Sequence, residues 1–338
     1  MISSVMFVTE RKKKTMVALP MSMPWAAVAG SWEDAENGLA RLDQTLGMSA
    51  LAPAWTARTD LGEAVASAWL DGAAVPLEDL VLHDADTSPR LPTPALFKAR
   101  SILLARRALD RRAPADVLSV AGILALHARR QGQESGDRHP PEGDHNGDHD
   151  GDEEDRIAAW LRLIADLGAL PALPAAALAF HAWTAEPPVR GGGDALGRLL
   201  IPVMLRARGN TRHHTLIFAT GLQKVWPRPR RGTPFASGIG DILEAIAHAA
   251  AHGLEAHHRL VLAKTALARP LAGRRSSSHL AALADLLLGH PLISAPMAAR
   301  HLGLSLRGTT LLIEELMRAG CVCERTGRAR YRAFSIPV

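Results

Sequence analysis

Until its last few dozen residues the chain gathers Val, Ile and Thr into no run that alternates with polar side chains. A half-buried strand needs a period of two, and a helix with one buried face needs 3.6. The body is therefore expected to be helical with little sheet. Leu and Ala dominate the apolar residues, and both are strong helix formers. At 338 residues there is room for about two domains and a sizeable core.

Pro and Gly punctuate this periodicity into segments. Residues 31–130 read as an N-terminal helical part of the body, with WEDAENGLARLDQTL, TDLGEAVASAWLDG and LPTPALFKARSILLARRAL as helices. Residues 156–270 read as its helical core, ending in SGIGDILEAIAHAAAHGLEAHHRLVLAKTAL. There Glu244, His248 and His252 share a face, and with no H-E-x-x-H present that face is read as polar surface. Residues 1–30 read as a weakly structured extension. Its RKKK (11–14), apolar stretch and Ala27-Val28-Ala29 imitate a secretory signal, but Pro20 and Pro24 interrupt the apolar run, and a true start at Met21 or Met23 fits better. No apolar run is long enough to span a membrane.

Charge is segregated. Residues 131–155 carry ten acids against one Arg, net −9, so against a total of +5 the rest of the chain carries +14. Such a surplus suits a polyanionic partner. The acidic stretch, rich in Gly, Pro, His and Asp, cannot bury enough apolar surface to order itself and reads as a disordered insert. Asn146, Asp148 and Asp150 imitate part of a calcium loop, but Ile157 stands where its bidentate Glu belongs, so no metal is expected. Cys321 and Cys323, the only cysteines, make neither a disulfide framework nor a zinc site. Reduced thiols and a cytoplasmic location follow.

From Ser276 the pattern changes. A helix (279–288), a short helix (295–301), the turn Leu302-Gly303-Leu304-Ser305, a longer helix (306–319) and a hairpin (321–325 with 329–335) outline a winged helix-turn-helix over 276–338. Ala299 is small where the two helices cross, Gly303 permits the turn, Ser305 caps the second helix, and Leu312 and Leu316 anchor it. Arg307, Thr309 and Thr310, with Ser305, are then the residues placed at base edges and phosphates of a major groove. Arg325, Arg328 and Arg330 of the wing are placed on the DNA backbone or in the minor groove, and Arg274 and Arg275 before the domain help to position it. Nine Arg face four acids across 271–338, a balance suited to phosphates. Position 309 departs from the Val or Ile usual in this motif.

One further stretch, PPVRGGGDALGRLLIP (187–202), runs three glycines into a helix, the arrangement that holds phosphates at helix N-termini. With its flanks it resembles the core of Fic-domain proteins, whose loop reads H-P-F-x-D-G-N-G-R-x-x-R followed by L-L-I-P. Ser67, Asp71 and Gly72 match the spacing of that family's inhibitory S-x-x-x-E-G helix, with Asp in place of Glu. The resemblance implies a Fic-like helical body and, in active members, a histidine base, an acidic magnesium ligand and phosphate-binding arginines. Here those positions are Pro187, Gly191 and Ala195, and only Arg198 survives. Pro187 cannot take a proton and Gly191 offers no ligand. No catalysis and no cofactor are expected; Gly197 and Arg198 remain as a residual anion-binding pair. Residues 66–84 and LAGRRSSS (271–278) are also similar to a rhizobial, often plasmid-encoded family with a C-terminal helix-turn-helix.

The expectation is a mainly α protein, a Fic-like helical body followed by a winged helix-turn-helix, that binds double-stranded DNA and regulates transcription. The body would sense or form a homodimer, with no membrane partner. A nucleotide-binding or AMP-transferring enzyme with an altered loop, and a protein-interaction module, are the alternatives.

Overall fold

The computed structural model describes residues 23–87, 91–134, 148–191, 193–225, 235–273, 279–326 and 332–337. Fourteen α-helices and three short strands occur among them. The body comprises α1 (Trp25–Gly47), α2 (Ala52–Leu70), α3 (Leu77–Asp84), α4 (Pro94–Leu109), α5 (Pro114–Val117), α6 (Val120–Glu134), α7 (Asp148–Asp166), α8 (Ala172–Ala185), α9 (Gly193–Ala207), α10 (Phe218–Val225) and α11 (Phe235–Leu271). The C-terminal part follows as α12 (His279–Gly289), β1 (Ile293–Ser294), α13 (Ala295–Leu302), α14 (Leu306–Arg318), β2 (Cys323–Glu324) and β3 (Ala333–Ser335).

α2 is the hub. It is buried nearly all round and packs against α4, α10, α11 and α12. Ala64, Ala66 and Ala68 keep its surface thin enough for helices to approach from several sides. Glu63, wholly buried, accepts the N–H groups of Ala219 and Thr220 at 2.6 and 2.9 Å, so α2 supplies the carboxylate for the start of α10. Beside it Asp60 meets Arg106 of α4 at 2.5 Å, while Arg106 also donates to the carbonyls of Thr215 and Leu216. Every polar group of that cluster thus has a partner, as burial demands.

α11, 37 residues long, runs from the body to the C-terminal domain and packs on α1, α8, α10 and α12. Its crossing with α10 is so close that a Cβ on Gly221 would lie 1.9 Å from the carbonyl oxygen of Ala245. Only glycine fits there.

Helical order reaches further than the sequence suggested. α1 begins at Trp25, inside the stretch read as an extension, because Val28 and its neighbours find a core to pack on. At the acidic insert, α6 extends to Glu134 and α7 starts at Asp148. Acids in the first turns of a helix complement its dipole, which the reading of 148–155 as insert overlooked. Residues 135–147, with His139, His145 and Asn146, lie outside the described residues.

Candidate functional site

The C-terminal elements form a helix-turn-helix with a small sheet. Ser294 caps α13 by accepting the N–H of Met297, Gly303 ends it at φ +66°, and Ser305 caps α14 by accepting the N–H of Gly308 at 3.1 Å. The strands are antiparallel in the order β1-β3-β2, with Ile293 opposite Phe334 and Cys323 opposite Ser335. β1 was not anticipated: two residues carry no alternation, and their partner lies forty positions on. Both thiols are free, and Cys321 is buried against α11, where its Sγ meets the carbonyl of Ala266.

The inner stripe of α14 is Thr309, Ile313 and Leu316, with Leu312 only partly buried. Thr309 is 0% exposed and donates its hydroxyl to the carbonyl of Ser305. Its assignment to a DNA interface is therefore corrected. The side chain sits where the motif ordinarily has Val or Ile and does the same packing. The outer face carries Arg307, Leu311, Glu314 and Arg318, one turn apart along the helix, with Thr310 half-buried beside them. Leu306 and Leu311 are 54% and 56% exposed.

On the wing, Arg325 is exposed and braced by a 2.8 Å bond from Nε to Ser335 Oγ. Arg332 pairs with Glu324 and lies over the Phe334 ring at 5.4 Å, so its charge is partly spent within the sheet. Arg274, Arg275, Arg328 and Arg330 lie outside the described residues.

The glycine loop is organised differently from a phosphate cradle. Its N–H at Arg190 donates to the Glu153 carboxylate at 2.7 Å, and Arg156 of α7 donates to the Pro188 carbonyl. An internal anion already occupies the loop's donor. Gly191 turns at φ +64°. Gly197 is needed for packing, because a Cβ there would stand 2.5 Å from the Trp183 ring of α8. Arg198 is 1% exposed. It donates to Ser67 Oγ and O at 2.9 Å each and to Asp71 Oδ1 at 2.6 Å, while Lys98 lies 3.2 Å from Asp71 Oδ2. Gly72 reverses the chain just beyond, at φ +77°. Arg198, expected with Gly197 as a residual anion-binding pair, is thus latched to α2: Asp71 answers its charge, Ser67 holds it by hydrogen bonds, and its Nη1 has no partner among the described residues. His181, on α8 six positions before Pro187, packs edge-on against Phe235 of α11.

Among the described residues no helix is long and apolar enough to cross a membrane.

Comparisons with known proteins follow the same division. Residues 147–272 match the family described as a protein of unknown function (DUF1612), and residues 280–336 match an HTH DNA binding domain. The chain is 30% identical over 366 residues to the uncharacterized protein y4cF of Sinorhizobium fredii (strain NBRC 101917 / NGR234), covering 90% of this chain and 95% of that one. The crystal structure of a Fic family protein from Desulfovibrio desulfuricans G20 aligns with a TM-score of 0.51 at 14% identity, over 92% of this chain and 95% of that one. At that identity the likeness concerns fold alone: the body is Fic-like in architecture.

Proposed function

The chain belongs to the family of the Sinorhizobium fredii protein, and from that membership and its helix-turn-helix DNA binding domain we propose that it is a cytoplasmic transcriptional regulator whose Fic-like body senses or dimerises without catalysis. The observation that carries the reading is α14. Its inner stripe is consumed by the domain core, while Arg307 stands exposed in the first turn. In this reading Arg307 reaches guanine edges, and Arg325, exposed on the wing, contacts backbone or minor groove. Pro187, Gly191 and Ala195 remove base, metal ligand and cation from the loop, and Arg198 is already paired.

Fluorescence anisotropy with DNA from upstream of its own gene, and with random DNA, across a salt series tests the proposal. Affinity should fall steeply with salt, and Arg307→Ala should cost about 1–3 kcal/mol on the specific site. Affinity indifferent to both would sink it. Incubation with labelled ATP and cell lysate should give no product above an Arg198→Ala control; labelled product would overturn the non-catalytic half.

One observation favours a second reading. Leu306 and Leu311 flank Arg307 with more than half their surface exposed, which suits a protein partner gripping α14. Stoichiometric co-purification without a DNA shift would select that reading.

A further inference from the structure

Where the body meets the C-terminal domain there is a cavity of about 350 Å³, at the small end of the roughly 300–1,000 Å³ range of ligand sites. One face of α2 forms a wall, with Arg58, Gly62, Val65 and Ala66 at helical spacing. α10 and α11 close it, and Pro291, just after α12, completes the rim. Ile217 and Leu260 make the opposite side apolar; Gln223 and His252 add polar groups. His252, read from sequence as surface, turns into this space, and burial pushes its pKa down, which favours the neutral ring.

The lining holds two guanidinium groups and no carboxylate. Arg259 is answered by Glu255 on its own helix. Arg58 has no acidic partner among the described residues. It donates to the carbonyls of His290 at 2.7 Å, Leu287 at 3.1 Å and Leu288 at 3.5 Å, the open end of α12. Burial without a counter-charge pulls its pKa down to about 10. A half-buried cation held by backbone dipoles alone, facing a cavity with an apolar wall, is matched by a ligand with one acidic group and a small apolar body.

We propose that this cavity binds a small organic anion, its carboxylate or phosphate on Arg58 and its apolar body against Val65 and Leu260, and that occupancy draws Arg58 away from the α12 carbonyls and shifts DNA affinity. This rests on the reading of the body as a sensor and gives that sensor its site. Arg58 links the cavity to the first helix of the DNA-binding domain, so ligand and α12 compete for one side chain.

Calorimetric titration of the full chain with hexanoate, hexyl phosphate, inorganic phosphate and hexanamide tests it. At least one organic anion should bind, while hexanamide, with the same body and no charge, should not. Binding of neither organic anion, or equal binding of hexanamide, overturns the site. Arg58→Ala would free α12 and confuse folding with binding, so Gly62→Leu is the informative variant. No atom lies within 4 Å of a Cβ at Gly62, and Gly62 lines the cavity, so a side chain added there starts without a clash and takes up space in the site. It should melt cooperatively like the parent, lose anion affinity at least about tenfold, the equivalent of 1.4 kcal/mol, and show no anion-dependent change in DNA affinity. Unchanged anion affinity places the ligand elsewhere and overturns the assignment. Saturating anion should change DNA affinity by about fivefold or more; no change overturns the coupling. A chain that binds anion but no DNA refutes the regulator and keeps the site, and one that binds DNA but no anion refutes the site alone.

Discussion

At the scale of single residues, position 309 shows how a polar side chain can serve as an apolar one. Thr309 returns its hydroxyl to the Ser305 carbonyl, which also accepts the Thr309 N–H at 3.0 Å. Removing the hydroxyl therefore orphans no buried group, and an added methyl would occupy the same space. Thr309→Val is expected to keep or raise the melting temperature, with stability changed by about 1 kcal/mol at most, and to leave DNA affinity untouched. A loss of DNA affinity in a variant that melts like the parent would return Thr309 to the interface. The contrast with Arg307→Ala is the useful one: two positions apart in one helical turn, Arg307 faces solvent and Thr309 faces the core.

At the scale of elements, contact between helices explains features that a motif search assigns to ligands. α8 and α9 cross at Gly197, so Gly197→Ala should drive a methyl into the Trp183 ring and cost about 1–3 kcal/mol in a thermal melt. A loss under a few tenths would mean that the ring moves aside freely. α2 and α9 are joined by Arg198 with Ser67 and Asp71. Asp71→Ala should cost about 3–5 kcal/mol, because it leaves a guanidinium buried with its main counter-charge gone, whereas changing both residues to apolar ones should cost less than the two singles summed. Chemical denaturation of the three variants measures the difference. The C-terminal helices were legible to within about a residue because each carries its own punctuation: Ser305 and Gly303 are local signals, readable without the rest of the fold. The resemblance singled out Ser67, Asp71 and Arg198 but not their contact, because 127 positions separate Asp71 from Arg198. The cavity was not legible at all. Arg58, Gln223 and His252 come from three helices, and nothing in the sequence near any of them encodes the other two. Burial of Thr309 was half-legible, as a departure from the motif whose meaning is decided by packing.

At the scale of the whole molecule, one buried and several half-buried histidines give the fold a common sensitivity to acid. Burial pushes the pKa of His83, His181, His252, His257 and His290 down, and that of His214 down to about 4. His214 lies edge-on to Trp55, with Nδ1 3.1 Å from Asp43, and Arg106 and His213 oppose a positive charge there. Its folded pKa lies below the unfolded value near 6.5, so the unfolded chain takes up the proton first. Stability is then lost as pH falls from about 6.5 toward about 4, by roughly 3 kcal/mol for this residue in full. Asp43 does not act in that window. Burial works to raise its carboxyl, but the N–H groups of His213 and Arg212 outweigh that and hold it below the usual range. Asp60 and Glu63, raised by burial, act with the opposite sign, since the fold binds their protons more readily than the unfolded chain does. Comparing the parent with His214→Gln cancels these shared terms. The variant should be less stable near neutrality, having lost the Asp43 contact, yet its melting temperature should fall less between pH 7 and pH 5. Parallel curves for the two chains would remove His214 as a source of acid sensitivity and leave the drop to the remaining histidines.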